Sequence, residues 1–397
     1  MTALPNLFAP LTLPNGLRLK NRIVKSAMSD MLGDGRGNPT PDQARLYERW
    51  AEGGVAASII GEVQGDPRFP EAAGNLVLDA ASDKTAFRTL ARRGSANGAS
   101  LWVQLGHAGA LTPRDIGKPV GPSAIDLPEL QARALTTQEI RALPGQFAVT
   151  ARRAEALGFG GVQIHAAHGF LLSQFLSPLF NRRGDRYGGS LENRMRLLIE
   201  VTAAVRSAVS PDFVVALKLN SSDGLQGGFE EHEALRVIAA LDRSGLDLID
   251  ISGGTYFPGA PASSDRVASG PYFVDFAKRV RRVTTLPLMA TGGFKTHAEA
   301  ESAIVTGAVD AVGIARALVL DPSLAKAWAQ GDPGPQFPRF QSTKPGGLTA
   351  WYTMAIRAVS EERAPPSLDI EVALGELSAI SDAQNRAWRA RFGIDAA

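Results

Sequence analysis

Eight short apolar runs, each followed by a segment with helical spacing, constrain this chain more than any other feature. The runs are Arg22–Met28, Ala57–Val63, Leu101–Leu105, Gly161–Ala166, Phe213–Leu219, Leu246–Ile251, Leu286–Thr291 and Ala311–Ile314. Most are apolar at consecutive rather than alternate positions, which is the pattern of parallel strands covered on their outer face. The helical segments between them are Pro41–Glu52, Ser82–Ala96, Thr137–Leu157, Ser190–Val209, Glu230–Ser244, Tyr272–Val283, Thr296–Thr306 and Asp321–Gln330. Thr40 is placed to cap the first, Pro41 suits its first helical position, and Gly53-Gly54 stops it. Thr296 and Glu299 have the spacing of a capping box, while Pro144 predicts a kink or a shifted start in the third helix. Parallel strands joined by right-handed crossovers form either an open doubly wound sheet or a closed barrel. Eight strictly alternating units favour closure. The expected fold is therefore α/β, a (β/α)8 TIM barrel with extended βα loops. Leu11–Lys20, turning at Pro14-Asn15-Gly16, predicts an N-terminal β-hairpin that plugs the barrel floor.

A chain of 397 residues would ordinarily suggest two or three domains, but such barrels often exceed the usual domain size as one unit. No composition break marks a linker. The expected division is a barrel over residues 1–335 and a helical extension over 336–397, packing on the barrel or on a neighbouring subunit. Within the extension, Gln341–Ala358 carries Trp351, Tyr352 and Arg357. The absence of cysteine excludes disulfides, thiolate metal sites and cysteine-ligated iron–sulfur clusters. A formal charge of +2 argues against a basic nucleic-acid footprint. Met1-Thr2-Ala3-Leu4-Pro5 lacks the pattern of a secretory signal, and no run approaches the ~18 apolar residues a spanning helix needs. The expectation is a soluble cytoplasmic protein with no nucleic-acid or membrane partner.

Long connections follow the third run (Gly106–Thr136), the fourth (His168–Gly189) and the sixth (Ser252–Pro271). Loops after strands build the catalytic face of such barrels. Three histidines sit there: His107 after the third run, His165 and His168 at the end of the fourth. A single histidine is usually a satisfied polar residue. Two at i, i+3 beside a long loop point to function, either as a metal pair or, preferably, as two donors gripping one anionic or carbonyl oxygen. No carboxylate or third histidine stands nearby at ligand spacing, so no metal is expected. Thr291-Gly292-Gly293-Phe294 ends the seventh run, and Gly313-Ile314-Ala315-Arg316 the eighth. Glycines admit a phosphate close to backbone N–H groups, Arg316 adds a fork of donors, and many barrels hold phosphate on these two loops.

The segment Ile164-His165-Ala166-Ala167-His168-Gly169-Phe170-Leu171-Leu172, then Gln174-Phe175-Leu176-Ser177-Pro178, closely resembles the central signature of the Old Yellow Enzyme family. So does the continuation from Asn181 to Arg194, and so do Leu19–Val24 and Gln104–Gly109. The resemblance runs from about Leu7 to about Pro322. It implies a bound FMN, with NADPH or NADH as reductant, and reduction of activated alkenes, quinones or nitro compounds. By position it also implies that Ala27, Met28 and Gln104 contact the isoalloxazine, that Ser29 stands near flavin O4, and that Val63 is the small residue beside the ring. Lys218 would face the N1–C2=O edge, Gly292, Gly293, Ala315 and Arg316 would hold the phosphate, and Ser252-Gly253-Gly254 would line the approach. His165 and His168 match the pair that binds the substrate's oxygen. On bland readings Lys218 merely pairs with Asp223 and Gln104 is a core amide. Arg183, Asp185, Tyr187 and Arg194 read as structural residues that order the fourth loop.

Phe170 departs from the family pattern, where a tyrosine usually gives a proton to the substrate's α-carbon. Phenylalanine keeps the ring and removes the donor. Four readings follow: Tyr256 or water substitutes; the acceptor is a quinone or nitro compound needing no carbon protonation; the site runs isomerisation or desaturation; or the change is packing alone. Asp30, directly after Ser29, is a second departure and could simply face solvent. Rivals from other classes are a cofactor-free phosphate-binding barrel, such as a sugar-phosphate isomerase or aldolase, and a non-catalytic flavin-binding module. A multi-cofactor dehydrogenase of the trimethylamine type is not expected. The leading expectation is an FMN-dependent NAD(P)H oxidoreductase acting on a small electron acceptor, assembled as a homo-dimer or tetramer.

Overall fold

A computed structural model describes residues 6–257, 270–340 and 344–394. Eight parallel strands close on themselves: β1 (Ile23–Lys25), β2 (Ala57–Gln64), β3 (Ser100–Gly106), β4 (Gly161–Ala166), β5 (Val214–Asn220), β6 (Leu248–Ser252), β7 (Leu288–Thr291) and β8 (Ala311–Ile314). Each pairs with the next, and β8 returns to β1 through Val312 beside Ile23 and Gly313 beside Val24. The (β/α)8 barrel is therefore closed. Its strand residues are almost all buried on both faces, which explains why they read as continuous apolar runs.

Helices α1 (Pro41–Glu52), α2 (Lys84–Gly94), α3 (Thr137–Ala156), α4 (Arg196–Ala208), α5 (Glu231–Leu241), α6 (Val274–Val280), α7 (His297–Val305) and α8 (Leu324–Ala329) ring the sheet. Thr40 accepts from the Gln43 N–H at 3.2 Å, and Thr296 and Glu299 close the capping box. Pro144 lies inside α3 and does not shift its start, because Thr136 and Glu139 form their own capping box and fix the first turn ahead of the proline. The expected fourth helix is broken at Met195, with a separate turn Leu191–Arg194 before it. The hairpin Leu11–Thr12 with Arg18–Leu19 seals the floor: Leu11, Leu13 and Leu19 pack on Trp102, Val214, Leu248 and Met289.

Two further helices, α9 (Gly347–Ser360) and α10 (Ile370–Phe392), pack on their own barrel. Arg49 donates to the Val359 carbonyl at 2.8 Å, and Gln384 donates to Met31 O and Gly33 O at 3.0 Å each. Among the described residues, no helix is long and apolar enough to cross a membrane.

Candidate active site

The carboxyl ends of the strands open into one cleft of about 550 Å³. The parallel register sets Gln104 beside Gln163, His165 beside Lys218, and Lys218 beside Asp250. These buried polar groups satisfy one another in a chain. Gln104 Nε2 donates to Gln163 Oε1 at 2.7 Å, and Gln163 Nε2 to Asp250 Oδ2 at 3.1 Å. Lys218 Nζ lies 2.5 Å from the same Asp250 oxygen, while Thr291 donates to the other at 2.6 Å. Ser26 links Thr291 and Lys218, at 3.0 and 3.3 Å. Lys218 is thus paired, but with Asp250 on the adjacent strand rather than with Asp223, whose carboxylate accepts from the Phe229 N–H and Asn220.

His165 and His168 meet edge to face with ring centroids 5.1 Å apart. Burial, then neighbouring charge on Lys218, pushes His168 down to about 3. Burial, His168 and Lys218 hold His165 well below the usual imidazole range. Both rings are therefore neutral at physiological pH. The Ala167 N–H points to His165 Nδ1 at 3.4 Å, which leaves the proton on Nε2, while His168 Nε2 lies 2.8 Å from Ser252 Oγ. Phe170 packs its ring 5.0 Å from His165 and 5.8 Å from Tyr256, itself half exposed at the mouth.

Ala27, Met28, Ser29, Gln104, Lys218, Ser252, Gly292, Ala315 and Arg316 line this cleft together with both histidines, Phe170 and Tyr256. Gly293 belongs to an adjoining hollow formed by Thr291–Lys295 and Gly313–Ala317. Gly253 packs against Phe273. Val63 and His107 turn away from the cleft, into a small gap against Phe147 and Thr150. His107 stacks on Phe69 at 4.2 Å, accepts from the Gly109 N–H, and is pushed down to about 4 by burial. The position of Val63 has a physical cause. The pairing of β2 with β3 shifts register between Ile60 and Val63, so that Glu62 takes the place on the cleft wall.

Asp30 does not face solvent. It is 3% exposed and accepts from Tyr47 Oη at 2.9 Å, Gln43 Nε2 at 3.0 Å and the Leu32 N–H at 3.0 Å. Asp30 therefore staples the loop after β1 to α1. Arg183 and Asp185 pair at 2.6 Å, and Arg183 also reaches the carbonyls of Pro122 and Leu135, tying the fourth loop to the third.

Glu62, Glu71 and Asp250 are functional candidates that strand pattern alone does not reveal. The wall of the cleft opposite the strands comes from α9 and α10, including Leu348, Tyr352, Leu374 and Leu377.

Residues 6–333 match the model of the NADH:flavin oxidoreductase / NADH oxidase family. The chain belongs to that family, the Old Yellow Enzyme family. It is 38% identical over 352 residues to the NADH-dependent flavin oxidoreductase iliE of Hypocrea jecorina, covering 80% of this chain and 87% of the relative. To the NADPH dehydrogenase of a Geobacillus species it is 33% identical, over 80% of this chain and 91% of the relative. The old yellow enzyme homologue of Zymomonas mobilis superposes with a TM-score of 0.73, over 88% of this chain and 99% of that one, at 24% identity that speaks to the fold alone. Some curated relatives are longer, and the chain spans about half their length. The protein is an NAD(P)H-dependent flavin oxidoreductase that uses FMN.

The residues present fit FMN. Gly292 and Gly293 have φ of 128° and 85°, and a Cβ at Gly293 would lie 2.2 Å from the Gly270 carbonyl, so the turn after β7 accepts only glycine. Arg316 heads the loop after β8 and stands 5.8 Å from the centre of the Tyr352 ring. At the other end of the cleft, Lys218 and Gln104 offer a cation and an amide from the barrel's polar layer.

Proposed function

We propose that this enzyme passes electrons from NAD(P)H to an electron-poor small molecule: an activated alkene, a quinone or a nitro compound. One observation carries the reading: two neutral imidazoles share a cleft with a buried lysine and a glycine-arginine anion cradle. Neutral imidazoles donate one hydrogen bond each and favour an acceptor oxygen on which negative charge develops. FMN, once bound, supplies the two-electron chemistry that side chains lack. Gly292, Gly293, Ala315 and Arg316 would hold its phosphate. Ala27, Met28, Ser29 and Gln104 would contact its ring, Ser252 and Gly253 would line its approach, and Lys218 would place a positive charge where reduction adds a negative one. His165 and His168 bind and polarise the acceptor, with Tyr256 at the entrance. Phe170 closes the space beside His165 and excludes water, but has no proton to give.

The test is anaerobic reduction of the yellow holoprotein with NADPH or NADH, followed by a panel of enones, quinones and nitro compounds. Reoxidation by at least one class, lost when His165 and His168 are both replaced by alanine, is the expected result. A protein that bleaches with the nucleotide yet is reoxidised by none of the three classes would sink the reading. A cytoplasmic location and a homo-oligomeric state are part of this proposal, and fractionation and light scattering test them.

A further inference from the structure

Phe170 leaves the cleft without a phenol beside His165, so a proton delivered to carbon has to come from elsewhere on the wall. Tyr256 is 52% exposed at the mouth. Tyr352 lies near Arg316 and Tyr272 against Gly292, both at the anion end. Lys218 is committed to Asp250. Neutral imidazoles are poor acids. Among the described residues, two carboxyl groups remain on the wall: Glu62, which is buried, and Glu71, which is half-buried.

Glu62 sits at the β2–β3 register shift with φ of +53°, a left-handed conformation that a side chain other than glycine rarely adopts. Bulges of this kind re-aim a side chain. Its Oε2 accepts from Gln64 Nε2 at 3.1 Å and lies over Gly106, where a Cβ would approach within 1.9 Å. The other oxygen, Oε1, is buried with no hydrogen-bond partner and lies 3.4 Å from His165 Nε2. A carboxyl oxygen is thus directed at the spot where the acceptor's oxygen would be held. Glu71 shares the wall, hydrogen-bonded to Asn75 at 3.2 Å. Burial and the proximity of Glu71 favour the neutral acid at Glu62 well above the usual carboxylate range, against a smaller opposing effect of Gln64.

We propose that Glu62 is the site's proton donor to carbon, doing for an α,β-unsaturated carbonyl what a phenol at position 170 would otherwise do. The inference rests on the proposed function and narrows its acceptor class. The alkene gains two electrons and one hydrogen at its β-carbon from NAD(P)H by way of the flavin. At the α-carbon a C–H bond forms as the Glu62 O–H bond breaks; its electron pair stays on the carboxylate, and water returns the proton. A quinone takes its protons on oxygen and does not need this group.

The experiment compares 2-cyclohexenone with 1,4-benzoquinone as acceptors for the NADPH-reduced holoenzyme of wild type, Glu62→Gln, Phe170→Tyr and the double variant. Glu62→Gln is expected to lower the enone-to-quinone turnover ratio by about 100-fold or more, the usual worth of general acid catalysis. Adding Phe170→Tyr to Glu62→Gln should return about tenfold or more of that ratio, whereas Phe170→Tyr alone should change it little. Infrared spectra of the resting holoenzyme should contain a buried neutral carboxyl band at neutral pH that Glu62→Gln removes. An unchanged ratio in Glu62→Gln, no rescue by the phenol, or no such band in the wild type overturns the proposal. Should Glu62→Gln fail to fold, Glu62→Asp, which draws the carboxyl back from His165, takes its place in both readouts. Wild type that reduces neither acceptor nor a nitro compound refutes the proposed function instead, and the band that Glu62→Gln removes then reads Glu62 separately.

Discussion

Lys218 and Asp250 bury opposite charges almost completely, with side chains 1% and 0% exposed. Removing the anion would strand a lysine in the barrel. Asp250→Ala is expected to destabilise the fold by about 3–5 kcal/mol, read from urea denaturation, and to weaken FMN retention as the Gln104–Gln163–Asp250 chain opens. Protons add a second test at this scale. Glu62 keeps its proton in the folded chain at pH values where the unfolded chain, at 4.5, has released it. The stability it contributes is fully present below 4.5 and lost as pH rises through the folded value. Glu62→Gln should therefore flatten the decline in unfolding free energy as pH rises above 4.5, each tenfold change in proton affinity being worth about 1.4 kcal/mol. His168 has the opposite sign. Its contribution is present above 6.5 and lost as pH falls through about 3, so a His168→Gln protein should lose less stability over that acid interval than wild type. Equal pH slopes in variant and parent would refute either assignment.

The turn after β7 is the element whose backbone is most tightly restricted at the proposed phosphate site. Gly293→Ala adds a Cβ against the Gly270 carbonyl and the Pro271 Cα, at 2.2 and 2.8 Å, in a left-handed conformation that itself costs about 1–2 kcal/mol. FMN affinity should fall about tenfold or more, measured by fluorescence quenching when FMN is titrated into apoprotein. Such glycines were legible in the sequence because they stand directly after the seventh strand, where the backbone must turn. The strands were legible too, since burial on both faces leaves an apolar run whatever the neighbours: Gly161–Ala166 and Ala311–Ile314 are found unchanged in β4 and β8. What depends on register was not legible. Val63 reads as facing the cleft only if β2 alternates regularly, and one shift between Ile60 and Val63 puts Glu62 on the cleft wall instead. Asp223 is close to Lys218 in sequence, yet the barrel brings Asp250 from the next strand. Asp30 reads as exposed because the α1 residues that bury it, Gln43 and Tyr47, lie thirteen and seventeen positions away.

At the scale of the whole molecule, the last two helices complete the site that the barrel begins. Helix α10 lies across the loops that follow the first strands: Trp388 is fully buried with Ala73, Val77 and Ile116, and Asn385 donates to Asp115 at 2.9 Å. Leu374 and Leu377, on the same helix, face the cleft. The clamp is Gln384, whose amide holds Met31 O and Gly33 O at 3.0 Å each, while Arg357 of α9 reaches Met31 O at 3.4 Å. Met31 has φ of 55°, a left-handed conformation that persists only where its surroundings impose it. Gln384→Ala removes two hydrogen bonds, an expected loss of about 1–2 kcal/mol in unfolding free energy. Met31 lies three residues beyond Met28, on the segment that supplies Ala27, Met28 and Ser29 to the cleft. The effect should therefore extend beyond stability: the KM for a bulky enone should rise, while the rate at which NAD(P)H bleaches the flavin changes less, because the proposed phosphate turns follow β7 and β8 instead. Stopped-flow reduction set beside steady-state turnover separates the two. A variant that loses stability with both constants intact would show that α10 only braces the barrel.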